Sequence, residues 1–314
     1  MGVRQSSGSD HLSGMDTAKA FAAYEAVRHR LPKARVSTNE QPSQVATLED
    51  IADQYDAFLL DAFGVLNIGE TAIPGVIERI EMLKARGKRV IVVSNAAGFP
   101  HAALMEKYCS LGYDFAPADV ITSRATLLSA LGSYEVMRWG LMATRSTGLR
   151  DLEGLDLSYL EEDPNAYASV DGFLMIGSAA WTEERQALLV QALVDRPRPV
   201  WVGNPDIVAP RETGFSVEPG YFAHRLADET DSTPHFFGKP FGNIYELALQ
   251  RLGPEVPRDR MVMVGDSLHT DILGAQAAGI GSALIADYGF FAGYDIQHAI
   301  GCSGIYPDHI VARP

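Results

Sequence analysis

Cysteine is scarce in this sequence. The chain has two cysteines, Cys109 and Cys302, and their spacing does not suit a metal site. This usage argues against a disulfide framework and fits a reducing compartment, so we predict a cytoplasmic protein. Long apolar runs are also missing, and no segment approaches the length of a membrane span. The amino terminus lacks the basic and then apolar pattern of a signal peptide.

Positive charge is in short supply as well. The chain has 26 lysines and arginines against 40 acidic residues, which gives a net charge of −14. Such a charge repels phosphate backbones, and no basic stripe offsets it, so we predict no nucleic-acid partner. A small anionic substrate is still compatible, because a metal ion and one or two lysines can invert the local field. With 314 residues, the chain has room for one large or two medium domains.

The amino-terminal segment carries few signals. Residues 1–16 are rich in serine and glycine and are predicted to be disordered. Gly2 lies in a short myristoylation pattern, although we expect no membrane partner. A helix is predicted over residues 17–30, capped by Thr17, followed by a linker over 31–46. The sequence assigns no role to these parts.

One carboxylate interrupts an apolar stretch early in the chain. Residues 58–60 are predicted to form a short buried strand, and Asp61 follows at its carboxyl end. Open α/β sheets bind their ligands at that end of the strands. Gly64 permits a sharp turn directly afterwards. A carboxylate in this position serves as a nucleophile, as a metal ligand or simply as the cap of a loop.

A second strand is predicted over residues 89–93, a β-branched run that ends at Ser94 and Asn95. A predicted helix over residues 75–87 separates it from the first strand. A strand–helix–strand unit of this kind is right-handed and parallel in nearly all proteins. Ser94 and Asn95 are therefore expected beside Asp61 at one edge of the sheet.

Residues 125–232 differ in character from the segments around them. Short predicted strands alternate there with a helix over residues 183–194 and with loops rich in glycine and proline. We predict an inserted second domain. The first domain is then discontinuous and comprises residues 47–124 and 233–314, while the tail and helix of residues 1–46 precede it.

Polar clusters recur at predicted strand ends and helix starts, and they comprise Asp61, Ser94 with Asn95, Lys239, and Asp266 with Asp271. Taken singly, each has an ordinary explanation, such as a helix cap, a surface charge or a carboxylate that complements a helix dipole. Two strand-end carboxylates, a hydroxyl and amide pair and one lysine together predict a metal and phosphate site.

These clusters resemble the motifs of the haloacid dehalogenase superfamily, and more narrowly its class IIA (NagD-like) branch. The four motifs of the family match, in order, residues 61–66, 93–95, 238–240 and 265–272. The triplet Asn204-Pro205-Asp206 is similar to a cap signature of that branch. The resemblance implies an α/β fold, in which a Rossmann-like parallel-sheet core carries an inserted α/β cap domain of the C2 type.

The resemblance also implies an activity. Members of this branch are Mg²⁺-dependent phosphatases that act on small phosphorylated metabolites, such as sugar phosphates, through an aspartyl-phosphate intermediate. Carried over to this sequence, Asp61 is the nucleophile. The implied metal ligands are Asp61, the main-chain carbonyl of Phe63, Asp266 and Asp271. The implied contacts to the phosphoryl oxygens come from Ser94, Asn95 and Lys239.

One position departs from the phosphatase pattern. Phosphatases of the superfamily usually carry an aspartate two residues after the nucleophile as the general acid, and this chain has Phe63 there. An aromatic residue at this position resembles the dehalogenase form of the motif. A haloacid dehalogenase and a catalytically impaired, ligand-binding member of the fold are therefore the alternatives. Both acidic positions of the fourth motif, Asp266 and Asp271, favour the phosphatase.

The substrate itself is not encoded in a motif. Asn204, Asp206 and His224 are candidate substrate contacts in the cap, although each also suits a loop or a buried side chain. Asp206, His224 or His269 are the candidates to replace the missing acid. A homodimer formed through the cap is a further expectation.

Overall fold

The computed structural model describes residues 15–33, 41–132, 137–212 and 214–314. Its strands are β1 (Ser43–Thr47), β2 (Ala57–Leu60), β3 (Asn67–Ile68), β4 (Thr71–Ala72), β5 (Arg89–Ser94), β6 (Val120–Thr122), β7 (Arg138–Met142), β8 (Asp156–Tyr159), β9 (Gly172–Met175), β10 (Val200–Val202), β11 (Val208–Pro210), β12 (Phe215–Val217), β13 (His235–Phe236), β14 (Met261–Gly265), β15 (Gly281–Ile285) and β16 (His309–Arg313). Its α-helices are α1 (Thr17–Ala26), α2 (Val76–Ala85), α3 (His101–Ser110), α4 (Ser123–Leu131), α5 (Pro164–Ala168), α6 (Glu183–Asp195), α7 (Pro219–Glu229), α8 (Gly242–Leu252), α9 (Leu273–Ala278) and α10 (Ile296–Ser303). The predicted disorder of residues 1–14, the pattern at Gly2 and the part of the predicted linker at residues 34–40 lie outside the described residues.

The larger of the two main sheets is parallel, with the strand order β1-β16-β15-β14-β2-β5-β6. Successive residues of its central strands point to opposite faces, and both faces are buried. Phe58 and Leu60 belong to the hydrophobic cluster on one face, whereas Ala57 and Leu59 belong to the cluster on the other. Strands buried on both sides are apolar throughout, which explains why their sequences were easy to recognise.

The chain reverses its direction of travel across this sheet next to β2. From β2 it moves outward through β5 to β6, and it later returns to β14 on the other side of β2. Doubly wound sheets open a crevice at the carboxyl ends of the strands at such a reversal. Asp61 follows β2 and Asp266 follows β14, so both carboxylates lie at this crevice. The prediction of a Rossmann-like α/β core is confirmed.

A smaller parallel sheet has the order β13-β10-β9-β7-β8 and its own hydrophobic cluster, which includes Phe173, Leu189 and Phe222. Its strands fall between residues 138 and 236, so the inserted segment has a sheet and core of its own. Strand β13 extends this sheet past residue 232, where we expected the insertion to end. The domain boundaries as residue numbers stay a proposal.

The amino-terminal expectations need correction. The first helix ends at Ala26 rather than at residue 30, and its N-cap is Asp16, whose carboxylate accepts the N–H of Lys19. The expected linker over residues 31–46 overlaps β1, which pairs in parallel with β16 at the sheet edge. No helix of the described residues is long and apolar enough to cross a membrane.

The carboxyl-terminal part of the chain is more structured than its sequence suggested. Two elements that were not predicted from the sequence, α10 and β16, follow β15. Strand β16 lies between β15 and β1 and so completes the larger sheet. Helix α7 was also not predicted, and it packs in the core of the smaller sheet through Phe222 and Leu226.

Candidate active site

A buried ion-pair cluster lies at the carboxyl ends of the central strands. The ammonium of Lys239 is 2.5 Å from a carboxylate oxygen of Asp61 and 2.8 Å from one of Asp271. The side chains of Lys239 and Asp271 are at most 1% exposed, whereas Asp61 keeps 15% of its side chain exposed. Asp61 is therefore the member of this cluster that is open to solvent, and the buried Lys239 pairs with both carboxylates.

Asp266 completes the cluster from the end of β14. One of its carboxylate oxygens accepts the main-chain N–H of Phe290 at 2.7 Å. Gly64, with φ +75°, passes so close that a β-carbon there would lie 2.3 Å from the same oxygen. The turn after Asp61 therefore needs glycine twice over, for its left-handed backbone and for the space that Asp266 occupies.

The cluster has an excess of negative charge. Burial raises the pKa of Asp61 to about 6, against the opposing effect of Lys239. Burial also raises the pKa of Asp266 well above its ordinary value, and the nearby Asp271 and Asp61 add to this. For Lys239, burial alone would lower the pKa, but the carboxylates of Asp271 and Asp61 raise it overall. A further cation would relieve this repulsion.

The geometry of the three carboxylates fits such a cation. Asp61, Asp266 and Asp271 each offer an oxygen, and these atoms all lie within 4.8 Å of one another. Mg²⁺ prefers hard oxygen ligands and keeps several waters, so three carboxylates around a partly open position suit it. The predicted metal ligands among the side chains are thus brought together.

The second motif lies beside this cluster, and its two side chains, Ser94 and Asn95, have different hydrogen-bond partners. The hydroxyl of Ser94 accepts the N–H of Ala96 at 3.2 Å, which leaves its own proton to donate. The amide of Asn95 is engaged within the protein: its oxygen accepts the N–H of Lys239 at 2.7 Å and the hydroxyl of Ser123 at 2.9 Å. Its nitrogen donates to the carbonyl of Lys239 at 2.9 Å. Asn95 thus holds the main chain at Lys239 in place.

The cap signature reaches the same amide. The carboxylate of Asp206 accepts a hydrogen bond from the Asn95 nitrogen at 2.8 Å, so a loop of the inserted segment is tied to the second motif. Burial raises the pKa of Asp206 well above its ordinary value. Asn204 shapes this loop, because its side-chain oxygen accepts the N–H of Asp206 and its nitrogen donates to Glu218. The described contacts of Asn204 are therefore internal.

The two histidines named as candidates lie in other surroundings. The ring of His224 stacks on Phe236 at 4.8 Å, and burial lowers its pKa to about 4. His269 lies 2.5 Å from a carboxylate oxygen of Glu25, in α1. The described contacts of these two side chains do not include the carboxylates of the cluster.

Two cations approach the ring of Phe63, the residue predicted to replace the acid of the family pattern. The ammonium of Lys107 is 5.4 Å from the ring centroid and the guanidinium carbon of Arg211 is 5.2 Å from it. Arg211 belongs to the inserted segment and Lys107 to the core. Cations at such distances are attracted by the ring face. No pattern in the sequence predicts these two neighbours of Phe63.

The fold and the four clusters define a hydrolase of the haloacid dehalogenase type. A family model described as haloacid dehalogenase-like hydrolase matches residues 58–151, and one described as HAD-hydrolase-like matches residues 236–313. Together the two models match more than half of the chain. This chain belongs to the haloacid dehalogenase superfamily, with relatives of the class IIA type.

Two curated relatives cover most of this chain. Bovine haloacid dehalogenase-like hydrolase domain-containing protein 2 is 29% identical over 231 residues, which span 73% of this chain and 83% of the relative. A 4-nitrophenylphosphatase of Schizosaccharomyces pombe is 26% identical over 261 residues, which span 76% of this chain and 85% of the relative. The second of these carries a stated phosphatase activity.

Solved structures agree on the fold. A possible sugar phosphatase of the superfamily from Cytophaga hutchinsonii superimposes with a TM-score of 0.75 at 24% identity, over 86% of this chain and 98% of that chain. A glycerol phosphate phosphatase from Mycobacterium tuberculosis, solved in complex with magnesium, superimposes with a TM-score of 0.61 at 23% identity, over 76% of this chain and 69% of that chain.

The charge excess of the cluster leads to a first prediction. We expect Mg²⁺ to raise the melting temperature of the wild-type protein, because a cation that binds only the folded state stabilises it. Asp266→Asn should raise the apparent dissociation constant for Mg²⁺ by about tenfold or more. Loss of a group that only supports a metal ligand already has an effect of this size. Thermal melts over a magnesium titration measure both quantities.

The matched control is Asp259→Asn, which removes an exposed carboxylate just before β14, at the opposite end of the strand from Asp266. This variant should titrate like the wild type. Equal dissociation constants for Mg²⁺ in Asp266→Asn and Asp259→Asn would show that Asp266 does not bind the metal.

Proposed function

We propose that the protein is a Mg²⁺-dependent phosphatase of small phosphorylated metabolites, such as sugar phosphates, and that Asp61 is its nucleophile. The observation that carries this proposal is the convergence of Asp61, Asp266 and Asp271, with their oxygens within 4.8 Å of one another. The phosphatase activity named for relatives supports it. The main-chain carbonyl of Phe63 is proposed as a further ligand of the metal.

In the proposed reaction, a carboxylate oxygen of Asp61 attacks phosphorus and the ester oxygen leaves with its electron pair. Water then attacks phosphorus of the aspartyl phosphate, which releases inorganic phosphate and restores the carboxylate. Ser94, the ammonium of Lys239 and the main chain at Asn95 are proposed to hold the phosphoryl oxygens. Bound Mg²⁺ would supply charge neutralisation and alignment, on which phosphoryl transfer mainly depends.

Two other functions remain as alternatives. Phe63 favours a haloacid dehalogenase, in which Asp61 would attack carbon without a metal. The two further carboxylates, Asp266 and Asp271, speak against this, because a metal-free site would bury both of them close to Asp61 while Lys239 pairs only with Asp61 and Asp271 among the described ion pairs. A ligand-binding protein without catalysis would not need a partly exposed Asp61 held so closely by Lys239.

A substrate screen tests the proposal. Phosphorylated metabolites, 4-nitrophenyl phosphate and 2-haloacids are incubated with the protein, with Mg²⁺ or with a chelator, and phosphate and halide release are measured. We expect phosphate release that depends on Mg²⁺ and no halide release. Halide release that survives chelation would establish the dehalogenase, and binding without turnover of any phosphate ester would favour the ligand-binding alternative.

A second prediction concerns the leaving group. Of the candidate substitutes for the missing acid, Asp206 contacts the second motif through Asn95, but that contact is a structural link rather than a path to the ester oxygen. A positioned acid contributes about 10²–10⁴ in rate, and Phe63 cannot supply it. We therefore expect the rate to fall steeply as the leaving-group pKa rises across a series of aryl and alkyl phosphates.

Phe63→Asp should flatten this dependence, whereas Phe63→Leu should leave it steep. An introduced carboxylate would not be buried alone, because Lys107 and Arg211 already approach the ring that it replaces. A wild-type rate that does not depend on leaving-group pKa, with the chemical step rate-limiting, would mean that another side chain acts as the acid.

Two expectations from the sequence stay predictions. The cytoplasmic location rests on cysteine usage alone. Self-association through the inserted segment calls for a measurement of the mass of the protein in solution, which we expect to be that of a dimer.

A further inference from the structure

Helix α1 and the turn after it lie across the seam between the two units of the protein. Their buried side chains share one hydrophobic cluster with Ile207 and Val208 of the inserted segment and with Leu268 and Phe290 of the core. Arg30 adds an ion pair of 2.5 Å to Asp228, in α7. A segment to which the sequence assigned no role thus contacts both units at once.

Tyr24, in α1, contacts both the inserted segment and the fourth motif. Its hydroxyl accepts the main-chain N–H of Ile207 at 3.1 Å. Its ring lies nearly parallel to that of His269 in the fourth motif, with 5.1 Å between the centroids. The side chain is 3% exposed, so no water can easily replace the hydroxyl as partner of this N–H.

A short chain of contacts connects this hydroxyl to the nucleophile. Ile207 follows Asp206, whose carboxylate accepts the amide N–H of Asn95 at 2.8 Å. The same amide holds the main chain of Lys239 on both sides, and the ammonium of Lys239 lies 2.5 Å from Asp61. A shift of the loop at Ile207 would therefore pass through two hydrogen-bonded links to the lysine.

We propose that Tyr24 is a positioning residue of the active site, through which α1 holds the loop of residues 204–208 and, by way of Asp206 and Asn95, the catalytic lysine in place. The proposal rests on the proposed phosphatase function and deepens it. Tyr24 itself touches neither the carboxylate cluster nor, on this account, the substrate. Its effect is on where Lys239 stands when charge develops on the phosphoryl group.

Tyr24→Phe tests this inference, because it keeps the ring on His269 and removes the hydroxyl that accepts the Ile207 N–H. Leaving a buried donor unpaired favours local rearrangement, and we expect kcat on 4-nitrophenyl phosphate to fall about tenfold with KM within about twofold. The matched control is Tyr167→Phe, a buried tyrosine of the inserted segment whose hydroxyl donates to the carbonyl of Glu161. It should leave kcat unchanged.

A double-mutant cycle separates positioning from a general loss of stability. If Tyr24 acts through Asp206, the variant with both Tyr24→Phe and Asp206→Ala, which removes the acceptor of the Asn95 N–H, should turn over no more slowly than Asp206→Ala alone. If Tyr24 contributed to stability alone, the effects of the two substitutions on kcat would multiply in the double variant, or Tyr24→Phe would leave kcat unchanged. Either of those results would overturn the inference.

Hydrogen exchange provides a readout that does not need activity. Tyr24→Phe should speed amide exchange in the peptides that cover residues 204–208 and 238–240, and leave β7 unchanged. Tyr167→Phe should alter neither of the first two peptides. If the wild type hydrolyses no phosphate ester, the proposed function fails while this measurement still decides the inference: unchanged exchange at residues 238–240 in Tyr24→Phe would refute it.

Discussion

Asp61→Asn is expected to abolish turnover while the protein stays folded. An amide cannot attack phosphorus as a carboxylate does, and loss of a covalent nucleophile typically costs about 10³-fold or more in kcat. The change should not lower the melting temperature in the presence of a chelator. Burial raises the pKa of Asp61 to about 6, so its charged form opposes folding at neutral pH, and the neutral amide removes that cost.

Initial rates on 4-nitrophenyl phosphate and thermal melts in a chelator measure the two effects. Asp259→Asn serves again as the control for loss of a carboxylate outside the cluster. Near wild-type turnover by Asp61→Asn would show that another group is the nucleophile. Loss of turnover together with a large fall in melting temperature would mean that Asp61 supports the fold rather than the reaction.

Lys239→Met is expected to damage both activity and stability. The lysine is 1% exposed and lies within 2.8 Å of oxygens on Asp61 and Asp271, so its removal leaves buried carboxylates without their cation. Removing one partner of a buried pair costs about 3–5 kcal/mol in the free energy of unfolding. In turnover we expect a loss on the order of 10²–10³, the range for removal of one group that stabilises transition-state charge.

Magnesium should recover part of the lost melting temperature, because it neutralises the same carboxylates, but it should not recover the turnover. The matched control is Lys88→Met, which breaks a partly exposed pair of 3.4 Å with Asp56 at the other end of the sheet. Such pairs contribute about 1 kcal/mol or less. If Lys239→Met melts and turns over like Lys88→Met, the lysine has no part in the site.

The parts of the site that the sequence predicted are those that follow from strand ends. Asp61, Ser94 and Asp266 follow apolar runs that are buried on both faces, and parallel strands bring their carboxyl ends to one edge. The side-chain directions did not follow from the sequence. Asn95 was expected at the substrate, but its amide is taken up by Lys239 and Asp206.

Two of the elements that were not predicted from the sequence, β1 and α7, lack a recognisable local sequence pattern. Strand β1 is mostly polar and largely exposed, and it is defined by pairing with β16, more than 260 positions later in the chain. Helix α7 begins Pro219-Gly220, a pair typical of turns, although proline suits the first position of a helix. Gly220 is needed there because a β-carbon would lie 2.0 Å from the carbonyl oxygen of Pro205.

The docking of α1 on the fourth motif is also a tertiary feature. Its residues Phe21, Tyr24 and Glu25 all contact His269, yet nothing in the spacing of these residues names that partner. The helix pattern itself was visible, as was the polar stretch before it. What the helix packs against depends on where the inserted segment meets the core, which a pattern of a few residues does not encode.

Two reactions followed in one preparation distinguish a Mg²⁺-dependent phosphatase with Asp61 as its nucleophile from a dehalogenase. Phosphate release from 4-nitrophenyl phosphate and halide release from a 2-haloacid are followed with Mg²⁺ and with a chelator, for the wild type and for Asp61→Asn. We expect the wild type to release phosphate only with Mg²⁺, Asp61→Asn to release none, and neither protein to release halide. Phosphate release that survives chelation or the loss of Asp61, or halide release without metal, would contradict this expectation.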